Sequence, residues 1–535
     1  LGLDTLSVFK FKPCGFRLKR WHLLFLLLLL VCGVAYSINL AQMNLVWDET
    51  PHLEGGLLIH QGRFGEYFAF SRYPPLLDFA IAGSFEVFGV NVFAARLVSV
   101  VFSLLAISMV FALALKMYGV KVAFVSTVIF ASMPGFVWLS RIALIETTVE
   151  FFFVGSILLF VYWLHKGKTS ILVLCGLLLG VATLAKYQVM VAALVMLFAL
   201  PFLRGTKLRP KISRFPILLL VAGLIFVPAL YFSYSSGILG HWTGLLFSSD
   251  VQANDYGARF PLPVFYLIEM TAPLDIVHPI SLVVFVFGLL GLGFFVWRRK
   301  AYDKLLWVWF LVVFVTFTFV GTKSWRYVLP LFPVLAISSG VLFVFLQERL
   351  AGFCRLSRFV GKRRFLVKFS VAVFALFLFV MVFASAVDSY GWVASDSVYV
   401  PLAETMHYVA GGLEGCNQSV MLLCGVNMVN QKALSFYLSA YEDKSNSVLL
   451  YPLEPVDAYP PNFNITQLVD QCLSFDVKYL VIYENKDVHY YDSNLTVVYV
   501  VEMMMQTGFV SYQTCFGRQP DRVFLFEFNQ TAAMG

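Results

Sequence analysis

The sequence predicts an α-helical polytopic membrane protein with about eleven transmembrane helices and a small C-terminal α/β extracytoplasmic domain. Three observations carry that prediction. The 535 residues are 60% hydrophobic and only 13% charged, with a mean hydropathy of +0.80, whereas soluble domains hold about 25% charged residues. Apolar runs of bilayer-spanning length, about 20 residues, recur along the chain. Basic residues collect in alternate loops between these runs, the pattern of cytoplasmic retention.

The eleven spans fall at about 21–40, 92–115, 121–139, 147–164, 170–185, 188–203, 215–233, 278–297, 304–321, 328–347 and 368–387. The first is leucine-rich, and no small-residue cleavage site follows it, so it reads as a retained helix. Residues 74–88 are apolar but short, and they contain Asp78 and Glu86. They read as interfacial or re-entrant, because a further span here would invert every later loop.

Charge fixes the sides. Alternate loops hold 25 of the 39 basic residues, including Lys116 and Lys121, Lys166 and Lys168, Arg298 to Lys300, and Arg349. These loops are assigned to the cytoplasm together with the amino terminus. The net charge of +8 therefore reflects topology, and no nucleic-acid partner is implied. The opposite side receives the Asp48 loop, the 141–146 turn, Lys186, the 234–277 loop, the Lys323 turn and the tail.

The division expected is a membrane domain, residues 1–387, and an outer domain, residues 388–535. The tail holds sequons at Asn417, Asn464, Asn494 and Asn529, and none occurs in the first 400 residues. This marks the tail as exposed on the glycosylating side. Residues 419–424, 478–483, 496–501 and 522–528 read as strands, and 401–413 and 465–475 as helices. Of the eight cysteines, Cys416, Cys424, Cys472 and Cys515 lie in the tail. Four cysteines allow two disulfides in three connectivities, and four free thiols remain the alternative. No Cys/His spacing suggests a metal site.

Separate turns bring carboxylates and cations to one membrane face. The first loop holds Asp48, Glu49, His52 and Arg72, and the next turn holds Arg141 and Glu146. Lys186 ends the fifth span, and Lys323, Arg326 and Tyr327 open the tenth. Charges at a bilayer surface must be solvated, paired or used. Moving a sugar from a lipid phosphate needs such a set. A carboxylate takes the acceptor hydroxyl's proton, and cations neutralise the departing phosphate. Bland alternatives exist: an Arg141–Glu146 ion pair, a snorkelling Lys186, and interfacial anchors at Lys323 and Arg326.

Four features together resemble the GT-C superfamily of integral-membrane glycosyltransferases. They are Asp48-Glu49, then Tyr-Pro-Pro-Leu at 73–76 followed by Phe88-Gly89 and Arg96, then Arg-x-Ala-Leu-x-Glu at 141–146, and Lys-x-x-Arg-Tyr-x-x-Pro at 323–330. The nearest branch is the dolichyl-phosphate-mannose protein mannosyltransferase and aminoarabinose transferase (family 39-like) branch, over roughly residues 21–350. The resemblance implies a polyprenyl- or dolichyl-phosphate sugar donor, a glycan, lipid or protein acceptor, and inversion at the anomeric carbon. Metal use varies across that superfamily, and neither a metal nor a cofactor is expected here. The resemblance makes Asp48 the catalytic base with Glu49 beside it, and Glu146 the second acid, where relatives often have Asp. Arg72, Lys186, Lys323, Arg326 and Tyr327 would hold the donor phosphate, and His52 and Arg141 would line the acceptor side.

The implied activity is a mannose-like hexose transfer on the outer side of the cell membrane. The alternative is a polytopic transporter or lipid flippase, but internal repeats and midplane charges, the marks of transporters, are not evident. The Trp-Trp-Asp-Tyr-Gly motif of oligosaccharyltransferases is absent from the sequence.

Overall fold

The computed structural model describes residues 20–42, 45–46, 48–71, 73–203, 212–235, 239–240, 243, 260–271, 278–356, 363–395, 400–413, 418–423, 431–441, 448–451, 465–484, 502, 505–506, 508–517 and 522–534.

Each of the eleven expected spans overlaps a helix, and the third is divided between two. The helices are α1 (Arg20–Ser37), α5 (Val92–Tyr118), α6 (Val120–Ala131), α8 (Glu146–Lys166), α9 (Thr169–Thr183), α10 (Val191–Leu203), α11 (Phe215–Ser235), α13 (Leu282–Arg298), α14 (Ala301–Thr318), α15 (Phe332–Leu356) and α16 (Arg363–Ser395). Among the described residues, seven helices are long and apolar enough to cross a membrane, and α6, α9, α10 and α13 are shorter apolar helices.

The third span is not one helix. Pro134 forces the preceding Met133 into extended backbone (φ −63°, ψ 124°), as a proline does to its neighbour. Helix α6 therefore stops at Ala131, and the chain restarts as α7 (Pro134–Leu139). Small residues let the spans approach closely, the usual device where hydrophobicity alone does not drive packing. A Cβ on Gly176 of α9 would lie 2.7 Å from the Leu218 carbonyl of α11, and one on Gly340 of α15 would collide with Ser126 of α6.

Between α1 and α5 lie three short helices, α2 (Thr50–His60), α3 (Phe64–Phe70) and α4 (Leu76–Phe88). Helix α4 has 13 residues, a length of about 20 Å, too short to cross a bilayer. It buries Leu77, Ile81 and Phe85 and leaves Phe79, Val87 and Phe88 exposed. The short helix α12 (Phe265–Glu269) precedes α13.

The tail contains α17 (Leu402–Gly412), α18 (Gln431–Tyr441), α19 (Ile465–Ser474) and α20 (Gln530–Met534). Its five strands are β1 (Ser419–Leu423), β2 (Val448–Tyr451), β3 (Val477–Glu484), β4 (Val510–Phe516) and β5 (Arg522–Phe528), in sheet order β2-β1-β3-β5-β4. β1 runs parallel to β2 and β3, whereas β5 is antiparallel to β3 and β4. The strand expected at 496–501 lies outside the described residues, as do Cys416, Cys424 and three of the four sequons. Cys472 is buried, with its Sγ 3.9 Å from the Met421 Sδ. Helix α18 packs on α2, and Phe436 stacks on Phe85 with ring centroids 6.4 Å apart. The tail thus touches the short helices that follow Asp48.

Candidate active site

Asp48 and Glu49 are adjacent in sequence but face different partners. The Glu49 carboxylate is fully buried. It accepts from Arg96 Nε at 3.0 Å and Nη2 at 2.5 Å. It also accepts from the backbone N–H groups of Ala143 and Val46, both at 2.8 Å. Arg96 gives its remaining arm to the Leu40 carbonyl at 2.8 Å. Glu49 therefore ties the first loop to α5 and to the 141–146 turn, and each of its oxygens is used. Breaking such a buried pair costs about 3–5 kcal/mol.

That anchor leaves Asp48 free to face the other way. It sits before the N-terminus of α2 and is about one third exposed. Arg326 donates to it from Nη2 at 2.7 Å. The same guanidinium places Nη1 3.9 Å from Glu146, and Lys186 Nζ lies 3.3 Å from the same Glu146 oxygen. Lys186 also sits 5.1 Å from the Tyr327 ring centroid, and Tyr327 stacks on Phe317. Asp48, Glu146, Lys186, Arg326 and Tyr327, drawn from four separate turns, thus meet at one end of the bundle.

Two backbone facts bring them there. Leu76 donates its N–H to the Leu184 carbonyl at 2.8 Å, fastening the Tyr-Pro-Pro-Leu turn beside Lys186. The segment 325–331 is a 3-10 helix containing Pro330, started by the Ser324 side chain, which accepts from the Arg326 N–H. The tight helix turns Arg326 and Tyr327 toward α8.

Other expected residues have structural partners. Arg141 does not pair with Glu146. It donates to the carbonyls of Ala35 and Tyr36 at 3.1 Å and of Ile38 at 2.7 Å, capping the C-terminus of α1, where cations are favoured. Lys323 donates to the carbonyls of Phe317, Thr318 and Val320 at 3.1, 2.6 and 2.5 Å, closing the end of α14. Burial pulls its ammonium below the usual lysine range. Arg72 lies outside the described residues.

His52 is buried. Its Nδ1 is 2.7 Å from Asp78, and the Tyr67 hydroxyl donates to the other Asp78 oxygen at 3.0 Å. Burial pushes the Asp78 carboxyl up, against the opposing pull of His52 and Tyr67. Gly55 and Gly56 make this contact possible. A Cβ at Gly55 would lie 2.8 Å from the Asp78 carboxylate, and one at Gly56 2.5 Å from Ile81.

Tyr73, part of a quoted motif but not chosen as a site residue, belongs to the cluster. Its ring lies 4.8 Å from that of His52. Burial pushes its phenol up to about 12, and the negative charges of Asp48 and Glu146 add to the rise. At neutral pH it is a hydroxyl donor beside two carboxylates. Its sequence signals were its place in the Tyr-Pro-Pro-Leu motif and next to Arg72. Among the described residues no three His, Cys, Asp or Glu side chains come together as a metal site would need.

Comparison with known proteins bears on the fold. Residues 72–232 match the family model described as dolichyl-phosphate-mannose-protein mannosyltransferase. No curated protein sequence matches the chain. The crystal structure of apo ArnT from Cupriavidus metallidurans superposes with a TM-score of 0.62 at 14% identity, covering 96% of this chain and 98% of that one. ArnT from the same organism bound to undecaprenyl phosphate gives 0.60 at 16% identity, covering 95% and 98%. The archaeal oligosaccharyltransferase AglB from Archaeoglobus fulgidus, in complex with an inhibitory peptide and a dolichol-phosphate, gives 0.57 at 12% identity, covering 94% and 74%.

The chain is therefore a multi-pass membrane protein that shares the fold of ArnT and AglB. Its likenesses are to a protein mannosyltransferase family model over residues 72–232 and to the fold of ArnT.

Proposed function

We propose that this protein transfers a hexose, mannose-like, from a polyprenyl or dolichyl phosphate to an acceptor on the extracytoplasmic side, with inversion. The observation that carries the reading is the single guanidinium of Arg326 set between Asp48 and Glu146, with Lys186 beside it. The match to a mannosyltransferase family model and the undecaprenyl phosphate and dolichol-phosphate bound by structural relatives support the lipid-linked donor.

Asp48 is the more solvent-accessible acid and takes the acceptor hydroxyl's proton. The acceptor oxygen forms its bond to the anomeric carbon from the face opposite the leaving group. The bond from that carbon to the phosphate oxygen breaks, and its electron pair stays on the lipid phosphate. The leaving phosphate gains negative charge as the proton reaches Asp48. Lys186 and Arg326 are the cations placed to stabilise that charge. Glu146 holds both cations, and Glu49 with Arg96 fixes the loop that carries Asp48. Tyr73 offers a neutral hydroxyl to the sugar or to the acids.

The test is transfer of sugar from a polyprenyl-phosphate hexose by the purified protein. Asp48→Asn should lower turnover by about 10²-fold or more while the thermal midpoint stays within a few degrees. Near-normal turnover in that variant would move the base elsewhere, with Glu146 next in line.

A further inference from the structure

At the end of the bundle opposite Asp48, the structure holds a cavity of about 720 Å³. Three elements line it. The α5–α6 turn supplies Lys121, the α13–α14 turn supplies Trp297, Arg298 and Lys300, and α15 supplies Glu348 and Arg349. Four cations thus surround one carboxylate.

The cavity has a structural cause. Helices α6 and α15 touch at Gly340 and Ser126, and the space opens about two turns further along α15. Its walls are fixed. Asp303 is fully buried and accepts from Arg298 Nε at 2.8 Å, from the Lys300 N–H at 3.0 Å and from the Tyr118 hydroxyl at 3.0 Å. Arg298 stacks 5.3 Å from the Tyr118 ring centroid. Its Nε and Nη2 are turned to Asp303. Arg349 lies 5.2 Å from the centroid of Phe345. Lys121 pairs with Glu348 at 2.8 Å, both more than half exposed. Lys300, Arg349 and Lys121 all point into solvent-accessible space.

We propose that this cavity binds the phosphate headgroup of an anionic membrane lipid in the leaflet opposite the Asp48 site. Alternating loop charge explains why cations lie at this end. It does not explain why four of them converge on a walled cavity between helices, the arrangement that recognises phosphate headgroups. The exposed ring of Trp297 would sit at headgroup depth, where amphipathic rings are favoured, with the half-buried Tyr302 beside it. Glu348 offsets Lys121 and Asp303 offsets Arg298, so the surplus charge that selects an anion is that of Lys300 and Arg349. This inference does not depend on the proposed transfer reaction.

The experiment measures lipid retained by the full-length protein in detergent, by native mass spectrometry, after reconstitution with equal phosphatidylglycerol and phosphatidylcholine. Phosphatidylglycerol should be retained preferentially. The variants Lys300→Gln and Arg349→Gln, singly and together, should lower that preference, by about tenfold in the double variant, with unchanged thermal midpoints. Both residues are exposed, so loss of fold is not the expected cause. Inorganic phosphate at equal concentration should not displace the lipid. Equal retention of both lipids, undiminished preference in the double variant, or displacement by free phosphate would each overturn the proposal.

Discussion

Arg326 faces two carboxylates at once, with Nη2 2.7 Å from Asp48 and Nη1 3.9 Å from Glu146. The planar fork of a guanidinium can bridge two acids, whereas an ammonium is a single point charge. Arg326→Lys should therefore preserve the charge and lose the bridge. Turnover with a polyprenyl-phosphate hexose should fall by about 10²-fold, the size expected for one electrostatic stabiliser. Full activity in Arg326→Lys would mean that charge alone suffices.

Glu49→Gln and Asp48→Asn should separate stability from chemistry. Gln at 49 leaves Arg96 buried beside a neutral partner, and the cost should be about 3–5 kcal/mol. Thermal unfolding in detergent should show that loss, with yield falling in parallel. Asp48→Asn should unfold normally and be inactive. The opposite assignment would make Glu49 the reacting acid.

Tyr73 sets an expectation for pH. A phenol pushed up to about 12 by burial and by Asp48 and Glu146 stays protonated as pH rises, and ionises only above that value. The alkaline side of the rate profile below about pH 11 therefore contains no limb from Tyr73. Tyr73→Phe should lower the rate by a constant factor and leave the profile's shape unchanged. A limb that disappears in Tyr73→Phe would show that the phenol ionises lower.

Gly56→Ala should be the more damaging of two single-methyl insertions in α2. Its Cβ would lie 2.5 Å from Ile81 Cγ2, a branched chain with little room to move, whereas that of Gly55 meets the Asp78 carboxylate at 2.8 Å. Overpacking of this kind costs about 1–3 kcal/mol. Thermal midpoints of the two variants give the comparison, and equal midpoints would show that α2 and α4 part without resistance.

Sidedness can be read directly. Helix α18 packs on α2, so the tail and the Asp48 loop share one face. Protease added to right-side-out vesicles should remove the tail and leave a tag on the amino terminus intact. A tail that is cut only after lysis would place the Asp48 site inside.

Much of this fold was legible because hydrophobic length and loop charge report spans directly. All eleven spans fall on helices, and the strands at 419–424, 478–483 and 522–528 correspond to β1, β3 and β5. The break at Pro134 was missed because apolar character continues through it. β2 was missed because 448–451 is only four residues long, and β4 and α18 were missed although 510–516 and 431–441 are as long as elements that were assigned. The motif residues Asp48, Glu146, Lys186 and Arg326 were named from order and sidedness. Pairing was not legible, because it depends on distances between turns. Arg141 therefore meets carbonyls instead of Glu146, and Tyr73 joins the cluster unforeseen.

The Glu49–Arg96 pair also dictates when the site can exist during synthesis. Glu49 is 47 residues before Arg96 and 94 before Ala143. The loop carrying Asp48 is therefore made, and delivered to the membrane surface, well before the groups that neutralise its buried carboxylate are translated. Until α5 has inserted, that carboxylate must stay in water, so the loop stays open. Closure waits for the 141–146 turn, which brings Glu146 with it. The two acids can approach only then, and the bridge between them waits for Arg326, so a nascent chain stalled before residue 146 has no site to misfire.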